Sequence, residues 1–293
     1  MKILITGAAG QVGRELVELA GAKNFTVAAY DSKTLDIVDA HAVRSTIVAD
    51  KPDCVINAAA YTAVDRAETE SDRAYAVNRD GVANLAAACR DANIPLLHIS
   101  TDYVFDGEQP SPYTEADPTN PTSVYGASKL AGEQQLAALW PKHIVLRVSW
   151  VFGRHGNNFV KTMLRLGRER EQLGVVDDQF GAPTGARAIA QTLLALATHP
   201  QLGTSALPWG IRHLTSEPGV TWYQFAVEIF ARALAQGLLS KTPAVNPISS
   251  TEFPTPVRRP ANSKLATARA WPDDLVQPRD WRDELDAVLK TLG

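Results

Sequence analysis

Tyr125 and Lys129 stand four residues apart in Ser123-Val124-Tyr125-Gly126-Ala127-Ser128-Lys129, a spacing that puts both on one face of a helix. A phenol with its ordinary pKa of about 10 is a sluggish proton donor and acceptor near neutrality. A neighbouring ammonium stabilises the phenolate and brings the group toward working pH, where it can exchange a proton with a carbonyl or hydroxyl. The same lysine can hold a nicotinamide ribose. Such a pair by itself usually only decorates a surface helix. Here it follows a segment ending Ser100-Thr101-Asp102, whose Thr101 hydroxyl can orient the same substrate oxygen, and it lies downstream of a glycine-rich turn.

That turn is Gly7-Ala8-Ala9-Gly10-Gln11-Val12-Gly13, directly after the apolar run Ile3-Leu4-Ile5. A pyrophosphate approaches the backbone only where no side chain intervenes, and a helix opening at Gln11 and Val12 offers free N–H groups and partial positive charge. A tight turn without a ligand uses the same glycines; the position between strand and helix favours a dinucleotide. Asp31, 18 residues after Gly13, is placed to accept from a ribose hydroxyl, as in an NAD site. Ser32 and Lys33 could instead hold the 2′-phosphate of NADP, and a solvated turn accounts for all three equally well. Asp36 and Ile37 fall near the adenine. Ala58, Ala59 and Ala60 are small enough for a cofactor to lie against their backbone. These residues leave NADPH and NADH both open.

The elements that must carry these groups alternate. Strands are expected at 2–6, 26–29, 54–57, 96–100 and 144–148, rich in Ile, Val and Leu as for strands covered on both faces. Helices are expected at 12–19, 40–49, 71–91 and 123–139. Strict alternation predicts an α/β fold, a Rossmann-type doubly wound parallel sheet. Past residue 150 the pattern loosens into helices at 158–170, 185–199, 221–236 and 282–289 with short strands and a proline-rich stretch from 243 to 260. This predicts a dinucleotide domain over 1–150 and a smaller mixed α/β substrate domain over 151–293, with the helix 185–199 able to pack back on the sheet. A long connection, 105–122, leaves the fourth strand where ligands of such sheets bind, and is expected to be functional.

Composition narrows the partners. With 45% hydrophobic and 21% charged residues and a net charge of -3, the chain is an ordinary globular one without a basic field for nucleic acid. No apolar run reaches the roughly 20 residues of a membrane span. A cleaved export signal would remove the glycines, so a cytoplasmic protein is expected. Cys54 and Cys89 read as small buried hydrophobes in a reducing compartment. His98, in a buried strand, reads as a satisfied core residue.

Together these residues resemble the extended short-chain dehydrogenase/reductase superfamily and, within it, the dTDP-4-dehydrorhamnose reductase family. The likeness spans nearly the whole chain. Beyond the motifs above it rests on Asn57-Ala58-Ala59-Ala60-Tyr61-Thr62-Ala63-Val64-Asp65, Tyr103-Val104-Phe105-Asp106-Gly107 and Arg147-Val148-Ser149-Trp150-Val151-Phe152-Gly153. Two stretches outside the general superfamily pattern, Asp178-Gln179-Phe180-Gly181-Ala182-Pro183-Thr184 and Arg259-Pro260-Ala261-Asn262-Ser263, make the narrower match specific. The resemblance implies that Tyr125 protonates the C4 oxygen of a dTDP-4-keto-hexose as hydride arrives from NAD(P)H. Lys129 would tune that phenol and bind ribose, with Thr101 on the reacting oxygen. Thr62, Val64, Asp102, Tyr103 and Trp150 would shape the sugar pocket, although Trp150 serves equally well as a core aromatic.

Related 4,6-dehydratases follow the threonine with Asp-Glu; Tyr103 after Asp102 removes the second acid and favours reduction over elimination. The substrate pyrophosphate calls for a forked guanidinium. Arg259 and Arg258 are the first candidates and Arg187 the third, each equally explained by an interdomain ion pair. Some members of the family form dimers bridged by Mg²⁺ through glutamates, one at the place of Glu15, but Arg187 replaces another. A monomer or homodimer is therefore expected, with Mg²⁺ structural where present and no catalytic metal. The alternatives are an epimerase or another keto-sugar reductase on the same scaffold, and a non-catalytic regulatory subunit like that of methionine adenosyltransferase. Intact Thr101, Tyr125 and Lys129 argue against the last.

Overall fold

A computed structural model describes residues 1–269, 271, 272, 275 and 280–293. Six parallel strands form the central sheet in the order β2-β1-β3-β4-β5-β6: β1 Lys2–Thr6, β2 Thr26–Tyr30, β3 Cys54–Asn57, β4 Leu96–Thr101, β5 His143–Val148 and β6 Gly210–His213. The order reverses direction at β1, the place where open α/β sheets bind ligands beyond their strand ends. Ile3, Ile5 and Ile56 face α1 (Gln11–Ala22), while Leu4 and Val55 face the other side, against α2 (Ala40–Asp50) and the helix Gly81–Ala92, α3. Both faces are covered, so strands such as β3 are apolar throughout rather than alternating. Strand β2 departs from that expectation: it is the edge strand, and Thr26 and Ala29 are exposed.

The helix expected over 71–91 is three segments in one path, Ser71–Tyr75, a π-helical turn Ala76–Asp80, and α3. Helix α4 (Val124–Leu139) lies across that turn, with Gly132 so close that a β-carbon would sit 2.0 Å from the Asn78 carbonyl oxygen.

A second core gathers α5 (Phe159–Glu169), a helix Trp222–Ala235 and the terminal helix Trp281–Lys290, beside the paired strands Gln172–Val176 and Ala244–Ile248. The helix Ala186–Thr198 belongs to the first core instead, where Ile189 and Leu193 meet the sheet. Strand β6, short and carrying the polar pair Arg212-His213, also joins the main sheet. The chain therefore passes between the two cores more than once: the return of the helix, expected alongside a boundary at residue 150, is joined by that of β6, which was not expected. A short polar strand does not say which core it will meet.

The long connection 105–122 is braced along its length. Tyr113 stacks on Phe105 with ring centroids 4.3 Å apart and donates to Asp106 at 2.6 Å, and Asn262 donates to the carbonyls of Gln109 and Ser111 at 2.7 and 2.9 Å. Glu115 accepts from the backbone of His213 and Ala268. It works as a strap that ties the sheet to the 261–268 segment. Cys54 and Cys89 are free and buried, and burial pushes the Cys54 thiol up to about 12. Among the described residues no helix is long and apolar enough to cross a membrane.

Candidate active site

The glycine turn forms a bare cradle. Gly7 takes φ +70°, and a β-carbon there would lie 2.4 Å from the Ala59 nitrogen; at Gly13 it would lie 2.1 Å from the Gly7 oxygen. Gly10 precedes α1 without any side-chain cap, so the first-turn N–H groups, at Gln11, Val12 and Gly13, have no capping partner from it. This suits an anion, and a dinucleotide pyrophosphate is the anion whose size matches a strand–turn–helix cradle. Asp31 is half-buried, and its Oδ1 accepts from the backbone of Lys33 and Thr34 at 2.9 and 3.1 Å. Those hydrogen bonds hold its carboxyl below the usual range. Its first task is thus to build the turn; Ser32 and Lys33 stay exposed beside it. Asp36 is exposed and caps its own turn through Val38 N–H, while Ile37 is buried against α3 at Gly81.

Ala58, Ala59 and Ala60 leave β3 against the cradle. Just before them, Asn57 starts a chain of buried hydrogen bonds. Its Oδ1 accepts from Thr6 Oγ1 at 2.7 Å and Ala59 N–H at 3.0 Å, and its Nδ2 meets His98 Nδ1 at 2.9 Å. His98 Nε2 then lies 3.2 Å from Lys129 Nζ, which donates to the Ile99 carbonyl at 2.7 Å. The strand that leads into the glycine turn and the helix Val124–Leu139 are therefore joined through the sheet.

Helix α4 is seated by its own sequence. Ser123 caps it, accepting from Gly126 N–H at 3.1 Å, and a β-carbon on Gly126 would stand 2.1 Å from the Tyr103 oxygen. One turn beyond Lys129, Glu133 accepts from Ser100 and pairs with Arg147 at 2.6 Å, both ends of the pair buried. This brings Tyr125 beside Thr101, Asp102 and Tyr103; the two tyrosine rings meet edge to face at 5.4 Å.

The electrostatics correct one expectation. The Tyr125 phenol is pushed well above its ordinary value, first by burial and then by the nearby Asp102, with Thr101 offsetting part of the rise. Lys129 does not lower it, because its Nζ turns to His98 and Ile99. Burial also brings Lys129 down to about 8 against a smaller opposing effect of Glu133, and lifts Asp102 to about 6 despite the Ser263 and Thr101 hydroxyls. The pocket thus holds a protonated phenol next to a reluctant ammonium.

Arg259 reaches the same place from the second half of the chain, donating to Tyr103 Oη at 3.3 Å and pairing with Asp65 at 2.7 Å; Val64 packs in one cluster with Tyr103 and Tyr125, and Thr62 is exposed. Arg258 is exposed and meets Glu108 at the surface. Arg187 does not join it: with Arg154 it holds the buried Glu15 carboxylate, at 3.1 and 2.7 Å. Among the described residues no group of three or more His, Cys, Asp or Glu could hold a metal. Trp150, with φ +46°, stacks on Trp222 at 3.5 Å over Gly181, joining the aromatic core of the second half.

The sequence offered Asn57 and Ser263 only as motif residues without a role, gave no sign of Trp222, and placed His98 in the core as a satisfied residue. Their signal was faint: a polar residue ending a buried strand, and one histidine inside another.

Known proteins match this arrangement along its whole length. The family described as "RmlD substrate binding domain" matches residues 1–293. A dTDP-4-dehydrorhamnose reductase of Aggregatibacter actinomycetemcomitans is 48% identical over 288 residues, covering 98% of both chains. A crystal structure of a dTDP-4-dehydrorhamnose reductase from Clostridium acetobutylicum superposes with a TM-score of 0.91 at 41% identity, over 100% of this chain and 99% of that one. One from Bacillus anthracis, in complex with NADP, gives 0.91 at 36% identity over 99% of each. The chain belongs to the RmlD substrate binding domain family, which it shares with the dTDP-4-dehydrorhamnose reductases.

Proposed function

We propose that this protein reduces the C4 keto group of dTDP-4-dehydro-6-deoxy-L-mannose (dTDP-4-dehydro-L-rhamnose), giving dTDP-L-rhamnose. The reading rests on the family, on relatives named for that reaction, and on one observation above others: Tyr125, Thr101 and Lys129 converge at the strand ends beside a bare glycine cradle.

Gly7, Gly10, Gln11, Val12 and Gly13 would hold the pyrophosphate of the cofactor, with Asp31, Asp36, Ile37 and Ala58 to Ala60 along its adenosine half. When bound, the reduced nicotinamide supplies the hydride. NADPH is favoured by the NADP complex of the Bacillus anthracis relative and by the exposed Ser32 and Lys33, which suit a 2′-phosphate; NADH fits the same cradle. Thr101 donates to the C4 oxygen and fixes it near the phenol. Tyr125 gives that oxygen a proton as C4 becomes tetrahedral, and burial keeps the proton in place until then. The phenolate left behind is stabilised by Lys129 as an ammonium and regains its proton from solvent. Thr62, Val64, Asp102 and Tyr103 line the sugar, Trp150 closes its far side, and Arg259 faces the substrate phosphates. Glu15 is held by arginines, so no metal-bridged dimer is proposed.

The test is stoichiometry with the dTDP-keto-sugar. One NADPH consumed per dTDP-L-rhamnose formed is expected; an isomerised sugar with no net cofactor consumption would make the protein an epimerase instead.

A further inference from the structure

Asn57 cannot be turned over in its site. The backbone N–H of Ala59 is a donor and nothing else, so the Asn57 atom 3.0 Å from it must be the oxygen. The amide nitrogen then donates to His98 Nδ1, and a neutral imidazole accepting there carries its hydrogen on Nε2. A doubly protonated ring would set two donors face to face, and burial already drives His98 well below its ordinary value. The Nε2–H therefore points at Lys129 Nζ from 3.2 Å. An ammonium has no lone pair to receive it. Only a free amine satisfies every contact, accepting from His98 while donating to the Ile99 carbonyl.

We propose that Asn57 and His98 are positioning residues that favour the neutral amine of Lys129 in the ligand-free site, and that the ammonium is restored when a dinucleotide's ribose hydroxyls replace them as partners of Nζ. The inference rests on the reductase reading for its cofactor. Among the charged and titratable groups in this part of the core, Glu133 opposes it by favouring the ammonium, and burial outweighs that effect. Glu133 on the same helix is committed to Arg147, His143 on β5 is buried with its titration lowered, and Asp102 at the end of β4 is lifted by burial. Cofactor binding above the lysine's own titration must then take up one proton from solvent.

Two variants separate this from a merely structural histidine. In His98→Gln the amide nitrogen can occupy the place of Nε2 and still donate to Nζ. In His98→Asn the side chain can still accept from Asn57 but stops short of Lys129. NADPH titrations by fluorescence between pH 7 and 9.5, without sugar, read the coupling. Wild type and His98→Gln are expected to lose affinity above about pH 8, approaching tenfold per pH unit. His98→Asn should show that loss at least one unit higher, so that at pH 9 it binds several-fold more tightly than wild type. A shared onset for all three proteins, or wild-type affinity flat with pH, overturns the proposal. Carbon-13 NMR of the lysine Cε groups in the ligand-free wild-type chain gives an answer that needs neither variant nor cofactor. A Lys129 midpoint near 8 is expected, and an ordinary one near 10 overturns the proposal. Neither assay contains a keto-sugar. Normal proton coupling without turnover would sink only the reductase reading, and turnover with uncoupled binding only this one.

Discussion

Asp102 shows how burial sets charge at the level of one residue. Its folded-state pKa of about 6 exceeds the ordinary carboxyl value near 4, so the fold binds its proton more tightly than the unfolded chain does. The cost of burying it ionised is absent below about pH 4, grows between 4 and 6, and is complete above. Asp102→Asn removes that cost. Urea denaturation should show the variant gaining roughly 1–3 kcal/mol relative to wild type at pH 8, and no such gain at pH 4. An equal difference at both pH values would mean that the carboxyl is solvated. That Tyr125 and Lys129 share one helix was readable from their spacing of four residues, and that Thr101 ends a strand was readable from the apolar run before it. Their protonation was not: spacing shows which groups are near, whereas a pKa depends on solvent exclusion and on where a flexible lysine turns. Asn57 and His98 lie 41 positions apart and meet only through the pairing of β3 with β4.

At the scale of elements, everything depends on how α4 is seated. Two glycines let its backbone touch the turn after β4 and the π-helical turn before α3, and the Glu133–Arg147 pair pins it to the sheet. A π turn inserts one extra residue into a helix and is frequent at functional sites; here it aims Asn78 at Tyr61 and Ser128, on the wall of the site. Gly132→Ala puts a methyl where the Asn78 carbonyl already is. It is expected to cost about 1–3 kcal/mol in denaturation midpoint analysis, and to lower turnover more than NADPH affinity as Tyr125 shifts. Wild-type stability in this variant would mean that the contact is looser than described. The alternation of apolar runs made the strands legible. The π turn was not, since its residues Ala76 to Asp80 carry an ordinary helical composition.

For the whole molecule, the sequence made the parallel sheet and its cradle legible, and it marked the 178–184 and 259–263 stretches as distinctive. What they do appears only in three dimensions. Phe180 N–H bonds the Ala261 carbonyl at 2.8 Å, Ser263 N–H bonds back at 2.7 Å, and Asn262 clamps the strap, so the two stretches form one roof over the strand ends. The strap, expected from its length to act on ligands, also carries the second half to the first. Asn262→Ala should loosen it, raising the KM for the sugar-nucleotide several-fold while NADPH affinity stays within twofold; equal losses in both would contradict that division. The return of the helix Ala186–Thr198 to the first core was anticipated from the sequence, whereas strand β6 escaped notice because a short polar strand does not announce its partner. In the proposed reaction Tyr125 hands its proton to the substrate oxygen in a site already able to bind cofactor. Steady-state turnover of Tyr125→Phe, measured alongside its NADPH affinity, tests it most directly. The variant's kcat is expected to fall by about 10²–10⁴-fold with cofactor binding nearly unchanged; retention of most of its turnover would contradict the role of Tyr125 as proton donor.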